Sequence, residues 1–280
     1  MEEVRFTVLG SGSAGNASYL EVGDTRLLID CGFSARQIKQ RLASIDRIPD
    51  RLDGILITHD HRDHIQGLKN LASKAKLGLP IYCNKLTAEE ITRAMPAEYE
   101  FHLFETGQSF EIGTVTVESF SVPHDAVDSL GYLLRTPAGN IGYLTDLGHT
   151  TRMIADRVRD ANVLLLETNH DLDLLRDSGR PWDLKQRIWG RHGHLSNEGA
   201  AEFADTVLHQ GITHIIGAHL SRECNSPEMV RAEFEPILQR HNLEHVQIII
   251  TSQDKPAETV LMGNDTFFSE KTFATAPFSN

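Results

Sequence analysis

Short apolar runs alternate along the chain with turn residues, and most of these runs are rich in β-branched or aliphatic side chains. This pattern predicts strands. The predicted strands are Val4–Leu9, Arg26–Ile29, Gly54–Thr58, Val163–Leu166, His214–Gly217 and Val246–Ile250. The middle of the chain, Phe110–Val122 and Leu130–Leu144, predicts two or three antiparallel strands, with turns near Gly113 and at 137–140.

Helical periodicity, with apolar residues three or four positions apart, occurs in three stretches. These stretches are Ala35–Leu42, Ile65–Ala75 and Ser196–Leu208. Thr87 and Glu90 have the spacing of a capping box, which predicts a helix start. Ser226 and Pro227 predict the N-cap and the first residue of another helix.

Length and composition predict a single domain over residues 1–280. The 40% apolar content suffices for a buried core, and no repeat or Pro/Ser linker marks a boundary. Residues 263–280 lack a period and predict a loosely packed tail. No stretch approaches the roughly 20 apolar residues that cross a bilayer, and the N-terminus does not resemble a leader peptide. We therefore expect no membrane association and a cytoplasmic location.

Charge and cysteine content restrict the possible partners. The formal net charge of −12 argues against a protein that grips long nucleic acid over its whole surface, although it leaves a local site open. Cys31, Cys83 and Cys224 lie far apart without a CxxC spacing, which argues against disulfides and against a thiolate zinc site. We expect these cysteines to be small buried residues.

Candidate chemistry lies at the ends of the predicted strands. Six of these ends carry a polar or ionisable residue, namely Asp30, His59, His124, Asp146, Glu167 and His219. Sites gather where strands end and loops begin, so we expect the six positions to meet in space.

The third of these ends reads Thr58-His59-Asp60-His61-Arg62-Asp63-His64, and such a density of imidazole and carboxylate is typical of metal ligands. The predicted ligands are His59 and His61 for one cation, Asp63 and His64 for its neighbour, His124 and His219 to complete the two sets, and Asp146 as a bridge. Two such cations lower the pKa of a shared water, which predicts a metal-bridged hydroxide as the nucleophile. Donors without thiolate suit Zn²⁺ or Mn²⁺.

Asp30 has no partner close to it in the sequence. We predict that it lies behind the ligands, where it would accept a hydrogen bond from a ligand histidine and fix the tautomer of that ring. The alternative is a turn or capping aspartate before Gly32.

The order of these residues resembles motifs 1 to 5 of the metallo-β-lactamase superfamily over positions 30–219. The resemblance implies an α/β fold, the four-layer αββα sandwich, with a dinuclear metal site at one edge of its two sheets. Histidine at position 61 is similar to the hydrolases of the superfamily, whereas its flavodiiron-type oxidoreductases usually carry glutamate there.

Four further stretches resemble the YycJ/WalJ group of bacterial nucleases: Gly10–Asn16, Leu166–Asp171, Gly193–Asn197 and His219–Ser221. This resemblance implies 5′ to 3′ exonuclease activity on DNA and a fold without the large β-CASP insertion of ribonuclease J. No insertion of that size fits between Asp146 and His219. The SSGN opening of the group reads Ser13-Ala14-Gly15-Asn16 in this chain, a departure at the second serine position.

Glu167 and His194 also resemble the Glu and His pair of the transfer-RNA 3′-end processing endonuclease. This implies that His194 is a general acid or a phosphate donor and that Glu167 holds its other nitrogen. Asp63, as a metal ligand, is the third residue assigned to catalysis. The alternative for His194 is a turn residue before Ser196, which would cap the following helix.

Six residues are candidate substrate contacts, namely Ser13, Asn16, His170, Ser196, Asn197 and Ser221. The alternatives for them are a tight Gly/Ser turn, a structural histidine, a helix cap and a closed turn. The basic segment 176–191, which contains Trp182 and Trp189, either stacks and pairs with a nucleic-acid strand or forms a solvated surface with two packing tryptophans.

Three functions are compatible with these residues. The leading hypothesis is a dinuclear metal-dependent phosphodiesterase that acts as a 5′ to 3′ exonuclease, with DNA favoured over RNA as its partner. A hydrolase of small phosphodiesters or of another ester is the alternative, because the metal core alone does not select a substrate. A metal-binding regulatory protein without turnover is the third, and the complete set of ligand motifs argues against it.

Overall fold

A computed structural model describes residues 3–263, which form two sheets of seven strands each together with surrounding helices. In chain order the strands are β1 Val4–Gly10, β2 Ala17–Val22, β3 Thr25–Ile29, β4 Gly54–Leu56, β5 Pro80–Asn84, β6 Glu100–Phe104, β7 Ser109–Ile112, β8 Val115–Ser121, β9 Leu130–Thr136, β10 Gly139–Leu144, β11 Val163–Glu167, β12 His214–Ala218, β13 Gln247–Ile250 and β14 Val260–Met262. The helices are α1 Ala35–Ala43, α2 Arg62–Ile65, α3 Leu68–Leu71, α4 Lys85–Ala94, α5 Arg152–Val158, α6 Leu172–Asp177, α7 Trp182–Trp189, α8 Asn197–Val207 and α9 Pro227–Arg240.

Each sheet has a parallel half. The first sheet has the order β14-β1-β2-β3-β4-β5-β6, and the second has the order β13-β12-β11-β10-β9-β8-β7. The strands β3 to β6 and β10 to β13 pair in parallel, whereas the remaining pairs are antiparallel. Because parallel strands end at the same edge of a sheet, the residues that follow β3, β4, β10, β11 and β12 emerge together there.

Three apolar layers hold the elements together. The inner layer lies between the two sheets and includes Phe6, Leu20, Tyr132 and Leu165. Helices α1, α3 and α4 pack on the outer face of the first sheet, and α5, α8 and α9 pack on the outer face of the second. The expected αββα sandwich is therefore confirmed.

Most predicted elements are present at nearly their predicted bounds. The run Phe110–Val122 divides into β7 and β8 at Gly113, whose φ of 57° suits the predicted turn. Ser196 and Ser226 each accept a hydrogen bond from a backbone N–H in the first turn of their helices, as expected of N-caps.

Two helix predictions are wrong. In the stretch Ile65–Ala75 the chain leaves α2 at Ile65 and is helical again only in α3, because Gly67 between them donates its N–H to Cys31 O at 2.8 Å and packs tightly against the loop after β3. Thr87 does not cap a helix. The cap of α4 is Asn84, whose side chain accepts from the N–H of Thr87 at 2.8 Å.

Four strands, β2, β5, β6 and β14, carried no sufficient signal in the sequence. The edge strand β6 is largely exposed, so it lacks an apolar run, and β14 has only three residues. The tail predicted at 263–280 lies outside the described residues except for Gly263. None of the helices within residues 3–263 is long and apolar enough to cross a membrane.

Candidate metal centre

Three of the strand-end residues adopt a left-handed backbone conformation. The φ angles are 61° at Asp30, 53° at Asp146 and 57° at His219, and all three residues are buried. This conformation is strained for residues other than glycine, and such strain concentrates at functional sites. It turns the chain sharply, so that each side chain faces the common edge of the two sheets.

His59, His61 and His124 form the first part of the cluster. The ring centroid of His59 lies 4.8 Å from that of His61 and 5.1 Å from that of His124. Nδ1 of His61 lies 3.1 Å from Nε2 of His124. The other nitrogen of His124, Nδ1, donates to Gly193 O at 2.9 Å, which leaves the Nε2 lone pair directed into the cluster.

Asp146 lies between two further histidines. Its Oδ2 is 3.1 Å from Nε2 of His64, and its Oδ1 is 2.8 Å from Nδ1 of His219. Asp63 contributes Oδ2 at 3.7 Å from His64 Nε2 and at 3.8 Å from His219 Nε2. The structure therefore brings together all seven residues that were predicted as ligands.

Asp30 sits behind this cluster and is fully buried. It accepts a hydrogen bond from His64 Nδ1 at 2.8 Å and another from the backbone N–H of Thr58 at 2.9 Å. The donation orients the ring of His64, so that its Nε2 faces Asp146 Oδ2 and lies 2.9 Å from Nδ2 of Asn16. This geometry matches the predicted role of Asp30 more closely than a turn aspartate does.

The donor atoms fit divalent cations. The ligand atoms of His59, His61 and His124 lie within 4.8 Å of one another, as do those of His59, His64 and Asp146. Among the described residues, the buried Nε2 of His59 has no hydrogen-bond partner, and neither ring nitrogen of His219 makes an aligned hydrogen bond. Buried polar atoms without partners are costly, and a bound cation would remove that cost. The fold and these residues support the use of a divalent metal.

The charges of the site lead to the same interpretation. Burial and the neighbouring imidazoles lower the pKa of His59 well below its usual range, so its ring is neutral, which is the form that binds a cation. Burial alone would also lower the pKa of His219, but the carboxylates of Asp146 and Glu167 raise it to about 10. The two carboxylates therefore favour positive charge at this position, which a divalent cation would supply.

Glu167 and His194 form a hydrogen-bonded pair beside the cluster. Nδ1 of His194 donates to Oε1 of Glu167 at 2.7 Å, while Oε2 of Glu167 accepts from the N–H groups of Leu147 and Leu195. Burial opposes ionisation of Glu167, but the attraction and hydrogen bond of His194, together with the proximity of His219, lower its pKa to about 2. Glu167 is therefore a carboxylate, and Nε2 of His194 is free to face the adjoining cavity.

The loop between β1 and β2 forms hydrogen bonds to residues of the cluster. Asn16 is buried, accepts from Ser11 Oγ and Gly12 N at 2.9 Å each, and donates to Asp63 Oδ2 at 3.2 Å. Ser11 Oγ in turn accepts from the backbone N–H of His219 at 2.9 Å. Asn16 was expected to contact substrate, but its amide is occupied within the protein. Ser11, which sequence reasoning missed, has no signal beyond its place in a Gly/Ser loop.

A cavity of about 330 Å³ opens beside the cluster. Its walls include His61, Asp63, Asp146, His194 and His219, and two of the predicted substrate contacts, Ser13 and Ser221. Asp125 also lines this cavity, with Oδ1 at 3.7 Å from His61 Nε2. Sequence reasoning missed Asp125, although its position directly after His124 was an available signal.

The other predicted substrate contacts do not line the cavity. Ser196 Oγ accepts from Gly199 N at 3.1 Å as a helix cap, and Asn197 exchanges two amide hydrogen bonds with Asn225. His170 is buried, and burial lowers its pKa to about 4. The hydrogen bonds of Ser196 and Asn197 lie within the protein, whereas Nε2 of His170 is buried without a hydrogen-bond partner among the described residues.

In the basic segment 176–191 one of the basic side chains is buried, whereas both tryptophans are exposed. Lys185 is buried and donates to Arg176 O and Ser178 O at 2.6 Å each, so its charge does not reach solvent as expected of a strand-binding lysine. Trp182 and Trp189 are 61% and 51% exposed and do not pack into the core. They lie seven residues apart at the two ends of α7.

The family of the chain follows from its sequence. A family model for the beta-lactamase superfamily domain matches residues 25–215. The chain belongs to the beta-lactamase superfamily. The sequence is 39% identical over 229 residues to exodeoxyribonuclease WalJ of Streptococcus pneumoniae serotype 2, a match that covers 80% of this chain and 84% of that protein. It is 34% identical over 239 residues to exodeoxyribonuclease YycJ of Bacillus anthracis, covering 84% and 89%.

Solved structures give the same fold. The metallo-beta-lactamase fold protein YhfI from Bacillus subtilis superposes with a TM-score of 0.70 at 17% identity, over 93% of this chain and all of that chain. The expected resemblance to the superfamily and to its YycJ/WalJ group is confirmed.

Proposed function

We propose that this superfamily member is a dinuclear metal-dependent phosphodiesterase that degrades DNA from 5′ ends. The observation that carries the proposal is the cluster of five histidines with Asp63 and Asp146 at one sheet edge. Relatives at 39% and 34% identity are named exodeoxyribonucleases, and this similarity extends over most of the chain. Together they support a nuclease over the other hydrolases that use the same fold.

The proposed ligands divide into two sets that share Asp146. His59, His61 and His124 would hold one cation, and Asp63, His64 and His219 the other. Zn²⁺ and Mn²⁺ both suit these donors. When bound, such ions lower the pKa of a water ligand and neutralise charge on a phosphoryl group.

His194 is the proposed general acid. Its Nδ1 is occupied by Glu167, so only Nε2 can carry a proton to an oxygen in the cavity. The Glu167 carboxylate accepts the hydrogen bond from Nδ1 and holds the plane of the ring fixed. Proton delivery to the leaving oxygen then avoids an unstable alkoxide product.

A hydrolase of small phosphodiesters is the second candidate. The net charge of −12 favours it, because an acidic surface repels a long polyanion, and the cavity has the size of a small-ligand pocket. We also propose a cytoplasmic location, where the three unpaired and buried cysteines would stay reduced.

Cleavage assays separate these candidates. Purified protein loaded with Mn²⁺ or with Zn²⁺ is given single-stranded DNA and RNA labelled at either end, with bis(p-nitrophenyl) phosphate in parallel. Mononucleotide release from a 5′-labelled DNA before any loss of a 3′ label supports the proposal. Hydrolysis of the small ester without degradation of either polymer would favour the second candidate, and no turnover with any metal would exclude both.

A further inference from the structure

The charge of the cavity wall differs from that of the whole protein, because three arginines offset the three aspartates that line it, Asp63, Asp125 and Asp146. The formal net charge of the chain is −12, yet Arg62, Arg180 and Arg187 all line this one cavity. Two of them, Arg180 and Arg187, come from the segment around α7 that the metal cluster does not use. The arginines cancel the formal charge of these aspartates, so the cavity repels an anion less than the acidic protein as a whole does.

Arg187 is held by one edge of its guanidinium. Its Nε donates to Oδ2 of Asp125 at 2.6 Å, and 62% of its side chain is exposed. Within residues 3–263 no hydrogen bond engages its two terminal nitrogens. Asp125 follows His124 directly, so this ion pair places Arg187 beside the group of His59, His61 and His124.

Arg180 is held on the other side through Nε and also through one of its terminal nitrogens. Its Nε donates to Glu223 Oε2 at 3.0 Å, and its Nη2 donates to Ser221 Oγ at 3.3 Å. Ser221 lies two residues after His219 and lines the same cavity. In the second sheet β12, which precedes His219, is separated from β8, which precedes His124, by three strands. Arg180 therefore reaches the cavity from the side of His219, and Arg187 from the side of His124.

Arg187, fixed through Nε, presents its two terminal nitrogens as a planar pair of donors that matches two oxygens of a phosphate, and Arg180 presents Nη1. These ion pairs reach the surface, and such pairs contribute little to the stability of a fold, so stability alone does not account for the arrangement. Fixing the arginine before the ligand arrives reduces the entropy lost on binding.

We propose that Arg180 and Arg187 form a phosphate subsite that binds phosphate groups of the substrate strand next to the one that is cleaved. The subsite rests on the proposed function and adds to it the recognition of a chain rather than of a lone ester. Two sources of phosphate are compatible with this chemistry, an internal phosphodiester and a terminal 5′-phosphate.

The test compares Arg180→Gln and Arg187→Gln with Arg222→Gln, whose arginine forms a similar ion pair with Asp254 outside the cavity. Each protein is given a short single-stranded DNA and, separately, bis(p-nitrophenyl) phosphate, which has no second phosphate. We expect the two cavity variants to lose at least about tenfold in kcat/KM on DNA and far less on the small ester. Arg222→Gln should match the wild type on both substrates.

Binding of the same DNA to the metal-free proteins is measured by fluorescence anisotropy over a range of salt concentrations. Loss of one phosphate contact should reduce the slope of log K against log salt by about 0.7 in magnitude. A 5′-phosphorylated and a 5′-hydroxyl strand distinguish the sources. Loss of a preference for the 5′-phosphate assigns the arginines to the terminal group, and equal losses on both strands assign them to internal phosphates.

An unchanged salt slope, or equal losses on DNA and on the small ester, would overturn the subsite. Failure of the proposed function is a different result. In that case the wild type does not degrade DNA, whether or not it hydrolyses the small ester, while the anisotropy measurement still reports whether the arginines bind phosphate.

Discussion

Nδ1 of His194 lies 2.7 Å from Oε1 of Glu167, on the cavity side of the histidine cluster. The carboxylate makes three hydrogen bonds, two of them from backbone N–H groups, so its position is fixed from three directions. A histidine held in this way has one nitrogen left for chemistry. This relationship distinguishes His194 from the histidines whose free nitrogens face the cluster itself.

Replacing His194 tests that distinction. We expect His194→Ala to bind metal as the wild type does and to lose a factor of roughly 10²–10⁴ in kcat, as is typical for a lost general acid. The loss should be small for a substrate with a p-nitrophenolate leaving group, which needs no proton. Metal content and kcat on both substrates are the measurements. Loss of bound metal in this variant would show instead that His194 is a ligand.

Asp30→Asn should weaken metal binding, although Asp30 itself is not among the proposed ligands. The amide cannot accept from both Thr58 N and His64 Nδ1 as the carboxylate does, so the His64 ring loses its fixed orientation. We expect metal affinity to fall by about 10–100-fold, measured by titration calorimetry. Asp53→Asn is the control, because Asp53 accepts one exposed backbone N–H at Arg26. Equal affinities in wild type and Asp30→Asn would remove the proposed role.

Gly32→Ala should disrupt the loop that carries the ligands. A Cβ at this position would lie 1.6 Å from Asp63 O and 2.5 Å from Asn16 N, so backbone atoms would have to move. We expect the free energy of unfolding to fall by about 3 kcal/mol or more, measured by urea denaturation. Gly179→Ala is the matched control, because no atom lies within 4 Å of its added Cβ. Similar stability of the two variants would contradict this close approach.

His170 should make stability depend on pH. Burial lowers its pKa from 6.5 to about 4, so between these values the unfolded chain binds a proton that the folded chain does not. Its contribution is complete above pH 6.5 and is lost as the pH falls towards 4. The stability difference between wild type and His170→Gln should therefore shrink by on the order of 2 kcal/mol between pH 7.5 and 4.5.

The measurement uses urea denaturation of metal-free protein, because bound metal adds a pH dependence of its own. His102→Gln, at an exposed position, is the control. A difference that stays constant with pH would mean that His170 is accessible to protons in the folded state.

Much of the site could be predicted from the sequence because its residues follow short apolar strands directly. Asp30, Asp146 and Glu167 each occupy the last position of a strand or the next one or two, so the position of the strand fixes that of the side chain. The family resemblance then supplied the sandwich that brings these strand ends together.

The remaining features depend on contacts between distant segments. Nothing in the local sequence of Asn16 distinguishes a buried donor to Asp63 from a substrate contact. The break between α2 and α3 likewise arises from the approach of Gly67 to Cys31, which helical periodicity does not record. The Arg187 and Asp125 pair joins residues 62 positions apart, so a count of basic residues could not show which arginines face the cavity.

The most direct measurement is the metal content of purified wild type and Asp146→Ala, determined by mass spectrometry beside DNA cleavage by the same samples. Asp146 lies between His64 and His219 and is shared by the two proposed ligand sets. We expect about two ions per chain in active wild type, and loss of bound metal and of DNA cleavage together in Asp146→Ala, with Asp53→Ala unaffected. Undiminished cleavage by Asp146→Ala, or by wild type that contains no metal, would contradict a metal-dependent nuclease built on this cluster.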